Sequence, residues 1–361
     1  MKATILTSIL GSLLIILGSC SSEPTARKAI GTAFEIMVVI NPTLWEDAVG
    51  NAVREDLTLP VPGLLRDEES MRLSYVSSTD FKGLLTRLRN ILIIKVDDSQ
   101  YTQISINPEK DLWAQGQVVV TVSAPNESLL ADYLSDNKGI LVDYFTKIEM
   151  RRMASTLQQT YSSEVMERIN SKFNVKLNAL REISAAFGGN NATDFFWASN
   201  NANTGRMDLV VYTFPYTDPN TFTREYMIAK RDSVLGANIP GSFPNSHMAT
   251  TDLVTYTATT LYGKYCGVLR GLWQMEGDMM GGPFVSYARL DETNNRVVVA
   301  EGFIYAPETD SKKNLVRRLE ASLQTLRLPD EFDKSLDEPE LAYYVTGKTL
   351  DDIVNRPKVI E

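Results

Sequence analysis

One histidine and two cysteines among 361 residues remove most familiar catalytic arrangements at the outset. A multi-histidine zinc or non-haem iron centre cannot be assembled in one such chain. A Ser-His-Asp or Cys-His mechanism would have to run through His247. That residue sits in the turn-rich stretch Gly241-Ser-Phe-Pro-Asn-Ser-His247, where a hydrogen-bonded surface role is expected. Basic clusters are equally scarce. No run of lysine and arginine exceeds two residues, and 36 basic side chains face 45 acidic ones. Nucleic acid is therefore not expected as a partner, since phosphates demand basic patches. The lysine and spaced glycines of phosphate-binding loops are missing around Gly281-Gly282. No metal and no cofactor is expected.

What is present begins at the first residue. Met1 to Cys20 reads MKATILTSILGSLLIILGSC: one cation at Lys2, an apolar run from Ile5 to Leu17, then Gly18-Ser19-Cys20. The run is too short and too interrupted to span a bilayer, which takes about 20 residues. It has the form of a secretory signal peptide closing on a lipobox, in which Cys20 becomes the acylated first residue of the mature chain. Two or more acyl chains, at about 0.8 kcal/mol per buried methylene, make such an anchor stable. The membrane, reached through acyl chains on Cys20, is the first expected partner. Residues 20–32 are small, polar and mixed in charge, as a flexible tether requires.

If Cys20 carries lipid, Cys266 has no partner for a disulfide. It lies in the apolar run Tyr265-Cys-Gly-Val-Leu269 without an activating histidine beside it, so a buried structural thiol is expected.

Period and punctuation divide the rest into two units. In residues 33–172, strands are expected at 34–40, 71–76, 91–96, 101–106 and 117–123, and helices at 44–54, at 80–89 and, long and amphipathic, at 140–172. The last carries Leu141, Phe145, Ile148, Arg152, Leu157, Val165 and Ile169 at helical spacing. In residues 173–328, strands are expected at 206–214, 253–260 and 262–275, a hairpin pairs 283–290 with 296–305, and helices cover 219–235 and 311–326. A turn is read at Gly188-Gly189-Asn190-Asn191, and an acidic tail at 329–361. The expected class is α+β, with mixed and antiparallel sheets and flanking helices. Both units end on strand, Ala-Pro and helix (Ala124-Pro125, Ala306-Pro307), which allows two similar α+β halves; chance similarity of strand ends is the competing reading.

The densest candidate site is Arg270-Gly-Leu-Trp273-Gln-Met-Glu276-Gly-Asp278-Met-Met-Gly281-Gly282-Pro283-Phe284. Glu276 and Asp278 are the right residue types for an acid and base pair, Trp273 for a stacking face, and the glycines for close backbone approach. Asp111 and Trp113, in the turn 107–116, are a second carboxylate and a second aromatic contact residue. Trp113 is read as folding over the core edge. Asp97-Asp98-Ser99 reads as a solvated turn. Asp232-Ser233-Val234 fits a short Asp-Ser-apolar acceptor pattern for O-glycosylation.

The lipobox, Val38-Val39-Ile40 with Trp45, Pro60-Val-Pro62, Asp111-Leu-Trp113, Leu272-Trp273 through Ser286, and Glu301-Gly-Phe303 through Pro307 together resemble a group of Bacteroidetes envelope lipoproteins classed as a domain of unknown function (DUF4837-like). The resemblance implies a lipid-anchored protein of the cell envelope, of the outer membrane in particular, and assigns no catalytic residue. Two functions stay open. One is a non-enzymatic protein that binds an envelope protein or glycan, or supports envelope assembly. The alternative is a carboxylate-dependent hydrolase of glycan or peptidoglycan using Glu276, Asp278 or Asp111.

Overall fold

The computed structural model describes residues 27–187 and 194–333. The leader, Cys20, the Gly188–Asn191 turn and the tail from 334 lie outside the described residues. Among the described residues no helix is long and apolar enough to cross a membrane.

The first half holds a five-stranded sheet. Its strands are β1 (Glu35–Val39), β2 (Arg72–Val76), β3 (Asn90–Val96), β4 (Ser105–Lys110) and β5 (Val118–Ala124), in the order β2-β1-β3-β5-β4. β1, β2, β3 and β5 are mutually parallel, and β4 joins β5 antiparallel. The central strands are near-continuous β-branched runs (Asn-Ile-Leu-Ile-Ile-Lys-Val, Val-Val-Val-Thr-Val-Ser-Ala) because both of their faces are covered. Helices α1 (Pro42–Trp45), α2 (Ala48–Leu57), α3 (Glu127–Asp136), α4 (Ile140–Thr156) and α5 (Ser163–Phe173) accompany it.

The second half is a seven-stranded antiparallel sheet. It comprises β6 (Ala185–Phe187), β7 (Phe195–Ser199), β8 (Arg206–Pro215), β9 (His247–Leu261), β10 (Lys264–Glu276), β11 (Gly281–Asp291) and β12 (Arg296–Tyr305), in the order β6-β7-β8-β12-β11-β10-β9. Period-two alternation sorts its side chains between two faces. Val211, Val268, Val285 and Val298 join a core shared with the first half, whereas Val210, Tyr212, Leu269, Phe284 and Val299 pack under helix α6 (Arg224–Asn238). Helix α7 (Lys313–Leu323) lies on the shared face and meets α4. The shared core runs without a break from Phe34 to Leu328.

The class is thus α+β, with one mixed and one antiparallel sheet flanked by helices. Both halves run strand, helix, four strands, helix from β1 and from β8 onward, yet their strand orders differ. The first is wired by parallel crossovers and the second as an antiparallel meander.

Several element boundaries depart from expectation for local reasons. The segment 80–89 forms only a 3-10 turn, Gly83–Arg87. Residues 87–89 are pulled straight by pairing with Ile30, whose amide donates to Arg87 O while Arg89 N donates to Ile30 O, each at 2.9 Å. The same pairing shortens the expected tether: from Arg27 onward the chain is laid against the body. The 140–172 helix breaks into α4 and α5. Asn178 Nδ2 takes the Leu157 carbonyl at 3.1 Å, and after the break α5 buries Val165, Ile169 and Phe173. The expected 44–54 helix is likewise divided, with Asp47 capping α2. The strand placed at 101–106 is β4, shifted toward the hairpin end. At the other end, Leu328 and Glu331 are buried, so the body continues past the expected border at 328.

Candidate functional site

The sequence candidates do not converge. Asp111 adopts φ 57° and accepts from Gly116 N at 2.5 Å and Gln117 N at 3.2 Å, closing the β4–β5 hairpin. Trp113 is 41% exposed and meets Phe81 edge-on at 5.7 Å, covering the outer margin of the first sheet. Glu276 is an exposed cross-strand neighbour of His247, with Oε2 3.4 Å from Nε2. His247 therefore stands in a strand, not in the expected connection. Asp278 accepts from Ser242 N at 2.8 Å and Met279 N at 2.7 Å. Those hydrogen bonds hold its carboxyl below the usual range. Each carboxylate is occupied by a turn or a strand pair, and the three belong to two different sheets.

Trp273 departs furthest from expectation. It is 3% exposed, donates Nε1 to Ile304 O at 3.1 Å, and packs edge-on against Phe303. Its role is to join β10 to β12 beneath the glycine pair. At Gly282 a Cβ would stand 2.0 Å from Ile304 O, so this glycine is required by strand packing. Cys266 is fully buried and free, and burial pushes its thiol up to about 12, which leaves it unreactive. Asp97 accepts from Ser99 N and Oγ, as a solvated turn does. Ser233 is exposed within α6, and its neighbour Asp232 accepts from Thr250 N at 2.8 Å.

One recess does gather part of the dense segment. Leu272, Trp273, Gly281, Gly282 and Pro283 form one wall of a cleft of about 350 Å³, and Leu64, Leu65, Arg66 and Glu68 of the first half form the other. Pro307, Thr309, Asp310 and Lys312 complete it. The walls are apolar and the rim is charged, a pattern suited to holding one side chain or a small molecule. The loop from the first half is fixed across the gap by Glu68, which accepts from Ser311 Oγ (2.5 Å), Lys312 N (2.7 Å) and Lys313 N (3.2 Å). Burial raises the Glu68 pKa, but these donors outweigh it and the net shift is downward. Behind it Arg317 stacks 3.7 Å over Phe34 and donates to Ser70 O at 2.8 Å. Glu68, Leu64 and Leu65 were not among the sequence candidates. Pro60-Val-Pro62-Gly63 marks a loop, but the donors that hold Glu68 beside it lie 243 to 245 positions away in the chain.

Residues 162–325 match the family model described as Domain of unknown function (DUF4837), and residues 29–158 match that described as Domain of unknown function (DUF8532). Each match is to a domain of unknown function. The border between the DUF8532 and DUF4837 matches lies in the α4–α5 break, ahead of the 172/173 border read from periodicity. The cleft is therefore lined from both matched regions, by residues of 64–68 within 29–158 and by residues of 272–283 within 162–325. No curated protein matches the chain.

Proposed function

We propose that this chain is a lipid-anchored protein of the bacterial cell envelope, of the outer membrane in particular, that binds an envelope component without turning it over. The address rests on the leader, in which Leu17-Gly18-Ser19-Cys20 closes an apolar run. Binding over catalysis is favoured by one observation: each candidate carboxylate spends at least one oxygen on its own turn or strand neighbour, and Asp278 spends both. A two-carboxylate hydrolase needs its pair facing one cleft, about 5–9.5 Å apart. Glu276, Asp278 and Asp111 do not line the cleft between 64–68 and 272–283.

The test expresses the full chain in a Gram-negative host. The parent is expected in the membrane fraction and Cys20→Ala outside it; an unchanged membrane fraction for Cys20→Ala would sink the anchor. Incubation of the parent with peptidoglycan is expected to release no new reducing ends. Release that disappears in Glu276→Gln or Asp278→Asn would restore the hydrolase.

A further inference from the structure

A second recess lies where the first sheet changes direction. After β1 the chain passes through Asn41–Thr43 into α1 and α2 and on to β2; after β3 it passes through Asp97–Tyr101 to β4, on the opposite side of the sheet. The chain thus leaves two adjacent parallel strands in opposite directions. Such a divergence opens a crevice at the carboxyl ends of the strands, the place where open parallel sheets hold ligands. Here the crevice is a polar cavity of about 520 Å³.

Its lining is chemically uncommitted. The side chains of Thr43, Ser78, Lys95, Gln100, Tyr101 and Glu127 make no hydrogen bond or ion pair with the other described residues. Asn41 spends Oδ1 on Thr43 N at 2.9 Å and keeps its amide N–H groups.

The charge balance narrows the ligand. Lys95 is the single cation of the lining, which also holds the carboxylates of Asp97 and Glu127. Anions are disfavoured by that balance, and an apolar ligand would strand the polar groups without partners. Amide, hydroxyl, ammonium and carboxylate groups beside one phenol ring match a ring bearing many hydroxyls. Each such hydroxyl both donates and accepts, and Tyr101 offers a flat apolar face. The volume falls within the range of about 300–1,000 Å³ usual for small-ligand pockets.

We propose that the crevice between the ends of β1 and β3 is a binding site for a short neutral saccharide. Lys95 and Glu127 act as donor and acceptor to its hydroxyls, Asn41 and Gln100 bridge neighbouring hydroxyls, and Tyr101 lies against its ring. The proposal rests on the binding reading above, but not on the lipid anchor.

The test is calorimetric titration of the full chain in detergent with maltotriose, cellobiose and chitobiose. At least one is expected to bind saturably. Lys95→Ala and Gln100→Ala, both at exposed positions, are expected to weaken that binding tenfold or more while melting at the parent's temperature. Inorganic phosphate is expected not to compete. Absence of binding by all three saccharides, undiminished affinity in both variants, or displacement by phosphate would overturn the site. Cleavage of the bound saccharide would leave the site standing and overturn the non-catalytic reading.

Discussion

Buried charge sets the residue-scale behaviour of this protein. Asp56 accepts from Gly139 N at 2.7 Å and Val142 N at 2.9 Å, occupying orphan donors at the start of α4. Burial dominates even so, and its pKa rises to about 6. A carboxyl whose pKa is higher folded than unfolded binds its proton more tightly in the native state. Its contribution to stability therefore grows as pH falls from about 6 toward the ordinary aspartate value of 3.8. Denaturant titrations of the parent against Asp56→Asn across that window are expected to show the parent gaining on the variant with falling pH. A constant difference would contradict the assignment.

Arg231 and Glu301 form a fully buried pair, with Nε 3.0 Å from Oε2, Nη2 2.7 Å from Oε1, and the guanidinium 3.8 Å from the Phe284 ring centroid. Removing one partner strands a charge, and Arg231→Met or Glu301→Gln is expected to cost about 3–5 kcal/mol, whereas the double apolar replacement Arg231→Met with Glu301→Leu costs less than either. Equilibrium unfolding of the three variants checks this ordering. Some of this was legible in the sequence. Arg152 interrupts an otherwise apolar stripe, and the structure gives the reason: it lies 2.5 Å from buried Glu149, which Asn90 and Arg89 also contact. The partner of Arg231 was not legible, because it stands 70 positions away on another element.

At the scale of elements, period worked where an element makes its own case. β1, β3, β5, β8 and the β11–β12 hairpin fall within a few residues of expectation, since their β-branched runs have no competing local conformation. It failed where distant chain decides, as at 80–89, straightened by Ile30, and at 157–162, broken beside Asn178. The Gly281-Gly282 pair read as a ligand approach because glycine in sequence marks closeness without saying to what. Gly282→Ala sets a methyl group against Ile304 O, and a loss of about 1–3 kcal/mol is expected. Helix α7 lacks a capping side chain from Lys312 and takes its cap from Glu68 of the other half. Glu68→Gln is expected to lose about 1 kcal/mol near neutral pH. Because the folded pKa of Glu68 is depressed, that loss shrinks as acid protonates the parent below the ordinary glutamate range.

At the scale of the whole molecule, one core of described residues spans both matched regions. Leu141 and Val120 belong to the same cluster as Val211 and Leu319, and Glu68, Arg317 and Lys313 fasten the halves at the cleft. Trp45 and Trp113 report on the first half, Trp197 and Trp273 on the second. Fluorescence of variants retaining one pair or the other is expected to give coincident unfolding transitions. Two separated transitions would show that the halves are independent. That mixed and antiparallel sheets with flanking helices would form was legible; that the two sheets share a core was not, since a hydrophobic stripe names no partner.

The proposed lipid anchor is a claim that one measurement meets directly: the mass of the amino-terminal peptide of the mature chain recovered from a Gram-negative host. The claim predicts a peptide that begins at Cys20 and carries the added mass of acyl chains. A peptide beginning at Met1, or one beginning at Cys20 without added mass, would contradict it.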